Sequence, residues 1–283
     1  MAKRSARNKD EVPKVNKAVR TQRVKFLLTS DTHYGFNHKT HQRHETFLEG
    51  VQLAIKEEGV NCVVHAGDWS VNKQDQFYRT MKMFRKYIPL DIPIVCVRGN
   101  HDFWDYAKDY GYTSSGRKMH WGEMQQAHNK WFEEFNIHHL ESGPFIVEDV
   151  IVCGFDGWYG QANPPTNDES QMIGNIEGCP TMVYHSSRAY KELMRVLDTD
   201  TDAYAKAVCV SHFPPFGGDY KNGHDPKDLR YSANPRYLDP ITEKFDVFCM
   251  GHSHGHVDRI DNNCRLLNAG SDYNLPKYLI FDV

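Results

Sequence analysis

Five short apolar runs, Val24–Thr29, Val60–His65, Ile94–Val97, Ala207–Ser211 and Val247–Met250, each give way within a few residues to side chains able to hold metal ions. The runs are too short for helices and rich in Val and other strand formers, so each is read as a buried strand. Asp31 and His33 follow the first, Asp68 the second, and Asn100, His101 and Asp102 the third; His212 follows the fourth, and His252 and His254 the fifth. Open α/β sheets bind ligands outside the carboxyl ends of their strands. Residues from opposite ends of the sequence are therefore expected to converge on one crevice.

Helical patterns fill the intervals. Phe47, Leu48, Val51, Ala54 and Ile55 recur at helical spacing, with Thr40 as a cap and Gly59 as a stop. Met124, Ala127, Trp131 and Phe135 repeat the pattern, as do Tyr190, Leu193, Met194 and Leu197. Strands alternating with helices predict an α/β domain whose helices cover the faces of a largely parallel or mixed sheet. It is expected over residues 24–283, with an irregular insertion at about 154–180 and a second irregular stretch from Asp105 to Trp121.

Composition narrows the classes. The 283 residues carry a formal net charge of -3, so the average surface is not built to coat nucleic acid or an anionic membrane. Mean hydropathy is -0.66 and no apolar run approaches membrane-spanning length, so no membrane partner is expected. Residues 1–23 are the exception, with Lys3, Arg4, Arg7, Lys9, Lys14, Lys17, Arg20 and Arg23 against Asp10 and Glu11. They read as a flexible basic tail, either a solvated terminus or, less favoured, an arm that holds nucleic-acid phosphates. No apolar core of a secretory signal follows the basic residues. Seven Cys is an odd count without a two-residue spacing, and Cys62, Cys96, Cys209 and Cys249 lie inside apolar runs as small core hydrophobes. A reducing, cytoplasmic setting is expected; oligomeric state is left open.

The chemistry resides in the strand-end residues. Asp31 with His33, and His252 with His254, have i, i+2 spacing, which in extended backbone points both side chains to one side. Gly67, Gly99 and Gly251 permit sharp turns where the strands deliver their donors. Carboxylate, amide and imidazole together suit Mn, Fe, Zn or Ni better than calcium or a thiolate zinc site. Seven donors exceed the needs of one tetrahedral ion but suffice for two that share a carboxylate. Each short motif alone occurs by chance in a chain with 16 His; their joint placement at five strand ends carries the inference. His38, His41 and His44 are read as solvated, His65 as packed in its strand, and His138 and His139 as loop or edge residues. His185, His224 and His256 are undecided.

In order, Asp-x-His, Gly-Asp, Gly-Asn-His-Asp, His and Gly-His-x-His resemble the motifs of the calcineurin-like metallophosphoesterase superfamily, over about residues 24–283. Asn268-Ala269-Gly270-Ser271 is similar to the segment that often follows the last histidines. The resemblance implies a four-layer αββα sandwich with two mixed sheets flanked by helices. It implies Asp31, His33 and His254 on a first metal, Asn100, His212 and His252 on a second, and Asp68 bridging them. It also implies His101 as leaving-group acid, oriented by Asp102, and attack by a metal-bridging hydroxide, with manganese expected first. Arg98 matches an arginine that grips phosphate in the phosphoprotein phosphatase branch; the other reading is a strand-end surface charge.

Two departures point away from that branch. Gly67-Asp68 continues as Trp69-Ser70-Val71-Asn72, and Asp102 stands where the branch has Glu. The expected substrate is a phosphodiester of the nucleotide or nucleic-acid type; the alternatives are a phosphomonoesterase or protein phosphatase, or a non-catalytic scaffold. Trp69, Phe103, Trp104, Trp158 and Tyr159 lie near the motifs, either as core or rim packing or as platforms for a base.

Overall fold

The computed structural model describes residues 23–35, 40–71, 74–103, 120–160, 182–216, 232–273 and 275–283. The basic segment before residue 23, Trp104, His38, His224 and most of both expected irregular stretches lie outside the described residues.

Every apolar run anticipated as a strand is one: β1 (Lys25–Thr29), β2 (Cys62–Ala66), β3 (Ile94–Val97), β7 (Lys206–Ser211) and β8 (Val247–Met250). Six more complete the sheets: β4 (Ile137–His139), β5 (Phe145–Val147), β6 (Val150–Phe155), β9 (His256–Asp261), β10 (Cys264–Ala269) and β11 (Tyr278–Asp282). One sheet has the order β11-β1-β2-β3-β4 and the other β5-β6-β7-β8-β10-β9. In the first, β1 to β4 are parallel and β11 is antiparallel; in the second, β6, β7, β8 and β10 are parallel, with β5 and β9 antiparallel at the edges.

The two-residue period of a strand sorts side chains between layers. Phe26, Leu28, Val64, Val95 and Val97 of the first sheet meet Val152, Val208, Val210, Cys249 and Leu267 of the second in a shared core. The alternate residues Leu27, Val63, Ile94 and Cys96 face α1 (Thr40–Glu58), α2 (Gln74–Tyr87) and α4 (Trp121–Glu134), which follows the short α3 (Asn100–Phe103). On the far side Ile151, Cys153, Cys209, Phe248 and Leu266 pack against α5 (Met182–Asp198) and α6 (Leu238–Lys244). The result is the four-layer sandwich, with helices outside two mixed sheets.

Several expectations need correction. The buried face of α5 is Ala189, Leu193 and Val196, whereas Tyr190 and Met194 are exposed. In α4 it is Met124, His128 and Phe132, so a polar side chain, His128, lies on the inward stripe. The expected insertion begins as ordered core: Gly154 and Phe155 close β6, and Asp156, Trp158 and Tyr159 are buried. Nor is His44 solvated. It is buried and bonded through Nε2 to the Thr32 carbonyl, under the loop that carries Asp31 and His33. His185 is likewise buried, stacked on Trp158 at 4.7 Å. The six described cysteines are buried free thiols.

Two tests follow from this packing. Phe26 lies between the sheets with its ring 5.4 Å from Phe281, so Phe26→Ala should lower the unfolding free energy by about 3–5 kcal/mol in a denaturant titration. A loss below about 1 kcal/mol would contradict the placement. Burial also pushes His65, His128 and His139 below the usual imidazole value, and His185 down to about 4. Their unfolded forms take up protons first, so stability present above about pH 6.5 should decline as pH falls toward 4. A metal-free melting midpoint that stays level across that window would refute this.

Candidate metal centre

Parallel β1, β2 and β3 place their carboxyl ends side by side, and β7 and β8 do the same across the inter-sheet layer. The loops then lock to one another. The N–H groups of Asp31, His33 and Tyr34 donate to the carbonyls of Gly67, Asp68 and Trp69 at 2.9, 3.2 and 3.1 Å. Gly251 N–H donates to the His212 carbonyl at 3.0 Å, and His252 N–H to both Asp31 oxygens at 2.8 and 3.0 Å. The last contact joins a loop of one sheet to a loop of the other.

The i, i+2 pairs converge by a different route from the extended backbone anticipated. Asp31, His33, Asp68, His252 and His254 all have positive φ, between 44° and 66°. Left-handed backbone at a non-glycine residue costs roughly 1–3 kcal/mol and persists only where surroundings fix it. Here the inter-loop hydrogen bonds supply that fixation. Gly67 takes the turn conformation expected of glycine, at φ 88°, and all three glycines leave room that a side chain would fill. A methyl on Gly99 would overlap the Asp68 carboxylate, one on Gly67 would lie 2.6 Å from His212 Nδ1, and one on Gly251 would lie 2.9 Å from an Asp31 oxygen.

Donor atoms gather in adjoining groups. Those of Asp31, His33 and His254 lie within 4.8 Å of one another, as do those of Asp68, His212 and His252, and those of His33, Asp68 and His101. Nε2 of His33 and His254 are 3.1 Å apart, and His254 Nε2 is 3.5 Å from Asp31 Oδ1. Asp68 Oδ2 is 3.3 Å from His212 Nε2 and 3.8 Å from His33 Nε2, so one carboxylate reaches both sides. Asn100 Oδ1 lies 3.2 Å from His212 Nε2. The seven expected ligands thus stand together. His212 Nδ1 is 2.8 Å from the Ala66 carbonyl, which turns Nε2 inward, and His254 Nδ1 is 3.3 Å from Asp272.

Burial dominates the electrostatics. It pushes Asp31 up and holds His33 and His252 well below the usual imidazole value, with His101 down to about 4. Burial would also raise Asp68, yet His212 and His101 beside it hold that carboxyl well below its usual range. His212 is correspondingly lifted against burial to about 9, chiefly by Asp68. Buried imidazoles with inward nitrogens, neutral at His33 and His252 and paired with Asp68 at His212, form with the carboxylates a donor set that fits divalent cations.

Two expected roles change. The Asp102 carboxylate does not orient the His101 ring; it accepts the backbone N–H groups of Gly99, Asp68 and Trp69, each at 2.9 Å. It therefore fixes the two loops that present Asp68 and Asn100. Arg98 is no surface charge: it is 2% exposed, with its guanidinium 2.7 Å from Asp156, 3.5 Å from Glu141 and over the Phe103 ring. Asp156 Oδ1 also takes the Arg98 N–H at 2.7 Å, so this pair ties β3 to the end of β6. Trp69, Phe103, Trp158 and Tyr159 are all core residues.

Sequence reasoning missed Asp272 and Tyr273. The Tyr273 ring stacks on His33 at 4.3 Å, yet only its position four residues after β10 marks it in the sequence.

Known proteins share this fold. The Mre11 DNA double-strand break repair protein of Halobacterium salinarum is 29% identical over 141 residues, 47% of this chain, and the match spans only 32% of that relative's length. The crystal structure of a phosphopantetheinyl hydrolase from Mycobacterium tuberculosis superimposes with a TM-score of 0.61 at 13% identity, covering 91% of this chain and 96% of the other. A dimetal phosphatase from Danio rerio gives 0.50 at 14% identity, covering 87% and 86%. At such identities these structures speak for the fold. The sequence model of the calcineurin-like phosphoesterases matches residues 24–256, most of the chain. The protein therefore belongs to the calcineurin-like phosphoesterase family.

Proposed function

We propose that the chain is a dinuclear phosphodiesterase acting on nucleotide or nucleic-acid-type esters. The carrying observation is the Asp68 carboxylate, whose Oδ2 reaches both His212 and His33 and so belongs to two neighbouring donor groups. On this reading Asp31, His33 and His254 hold one cation, Asn100, His212 and His252 the other, and Asp68 both. Manganese is proposed first; Fe, Zn or Ni also suit these donors. A bound pair of divalent cations lowers the pKa of water and neutralises phosphoryl charge. The preference for diesters draws support from the Mre11 likeness, since that relative's name places it in DNA double-strand break repair.

The chain's own groups divide the remaining work. His101, 7% exposed and with its ring 4.6 Å from that of His33, is the group placed to protonate the departing oxygen; burial holds its imidazole down to about 4, so it takes up that proton together with the bound phosphate anion. Asp102 keeps the Gly99–Asn100 backbone against Asp68, and Arg98 holds the same segment to Asp156 rather than gripping phosphate. The basic segment before residue 24 is proposed to steer polynucleotides by charge.

Chelation should abolish hydrolysis of bis-p-nitrophenyl phosphate and Mn²⁺ should restore it, with p-nitrophenyl phosphate turned over more slowly; preference for the monoester would favour a phosphomonoesterase. His101→Ala should lose about 10²–10⁴-fold in kcat while keeping its ions, whereas Asp68→Asn should lose both activity and bound metal. The opposite pairing would invert the roles. Gly99→Ala, which pushes on the Asp68 carboxylate, should weaken Mn²⁺ binding at least about tenfold by calorimetry while the protein still melts cooperatively. Unchanged affinity would show that Asp68 is not held there as described.

A further inference from the structure

Beyond the ligands, one aromatic side chain is built into the centre by the loop after β10. Asn268 Nδ2 donates to the Gly251 carbonyl at 3.0 Å, and its Oδ1 accepts the Gly270 N–H at 2.8 Å, coupling this loop to the one that carries His252. Ser271 Oγ accepts the Lys277 N–H at 2.9 Å, and Asp272 and Leu275 exchange backbone hydrogen bonds at 3.2 and 2.7 Å. The turn so closed sets Tyr273 over the site. Its ring stacks on His33, meets His254 edge-on at 4.9 Å and His101 at 5.9 Å, and its hydroxyl lies 3.5 Å from His101 Nε2.

That separation is long for an O–H···N bond, but it is short enough for one oxygen to lie about 2.8 Å from each atom at once. A phenol keeps its proton through the neutral range and so acts there as a hydrogen-bond donor. We propose that Tyr273 is a further catalytic residue, its hydroxyl donating a hydrogen bond to the leaving-group oxygen beside His101; this rests on the phosphodiesterase reading above. When the P–O bond breaks, its electron pair stays on the departing oxygen, which takes the proton from His101. Water supplies the new P–O bond and gives up a proton to solvent. Tyr273 retains its own proton and stabilises only the developing charge.

Tyr273→Phe preserves the stacked ring and removes only the hydroxyl. The variant and wild type would be compared, both loaded with Mn²⁺, on a thymidine dinucleotide, whose leaving group is an alkoxide, and on bis-p-nitrophenyl phosphate, whose leaving group needs little help. The loss in kcat on the dinucleotide should exceed that on the activated ester at least about tenfold, a span typical of removing one transition-state donor. Bound metal should be unchanged. Orthovanadate, whose apical oxygen occupies the leaving-group position, should bind the variant about tenfold more weakly by calorimetry. Equal losses on both esters, or unchanged vanadate affinity, would overturn the role of the hydroxyl. Failure of wild type to cleave either ester, while still binding vanadate more tightly than the variant, would instead overturn the phosphodiesterase reading and leave the contact standing.

Discussion

A carboxylate buried to 1% exposure among imidazoles sets the terms for the rest of the molecule. Removing such a charge from water costs several kcal/mol unless other groups compensate. Asp68 is compensated by both its oxygens: Oδ1 accepts the backbone N–H of His101 at 2.9 Å, and Oδ2 faces the Nε2 atoms of His212 and His33. These partners come from the loops after β3, β7 and β1, and Asp68 itself from the loop after β2. The arrangement therefore exists only when both sheets are stacked with their carboxyl ends together.

The scaffold holds that geometry against local cost. Left-handed backbone at five ligand positions is sustained by hydrogen bonds between loops rather than within them. Asp102 gathers three backbone N–H groups from two of these loops, and Asp31 accepts one from the opposite sheet. Beneath them Arg98 and Asp156 form a buried pair whose two ends belong to different sheets. Binding energy toward cations is thus prepared during folding, when imidazoles and paired carboxylates are carried out of water with their nitrogens and oxygens already aimed inward.

Much of this was legible in the sequence where burial and chemistry leave compact signatures. The five Val-rich runs became strands because both faces of each are covered, one by the other sheet and one by helices, and so their apolar character is continuous. The donors after them were visible for the same reason: polar residues abruptly ending an apolar run. Strands β9 and β11 escaped notice because they lie at sheet edges, where Asp258, Arg259 and Tyr278 are exposed and the alternation is blurred. His44 reads as solvated in the sequence and His128 is not singled out there, yet each is buried against a specific partner, Thr32 and Gln74 respectively. The resemblance implies Asp102 as a partner of His101, whereas its carboxylate takes backbone N–H groups of Gly99, Asp68 and Trp69, contacts that no residue spacing displays. Tyr273 and Asp156 act across the fold, through distances that no local spacing encodes.

The central claim is that two cations share Asp68. Anomalous diffraction from crystals grown with Mn²⁺ measures this directly, without reference to any substrate. Two peaks about 3.5–4 Å apart, with the Asp68 carboxylate between them, are the predicted result. A single peak, or two ions without Asp68 in common, would contradict the account.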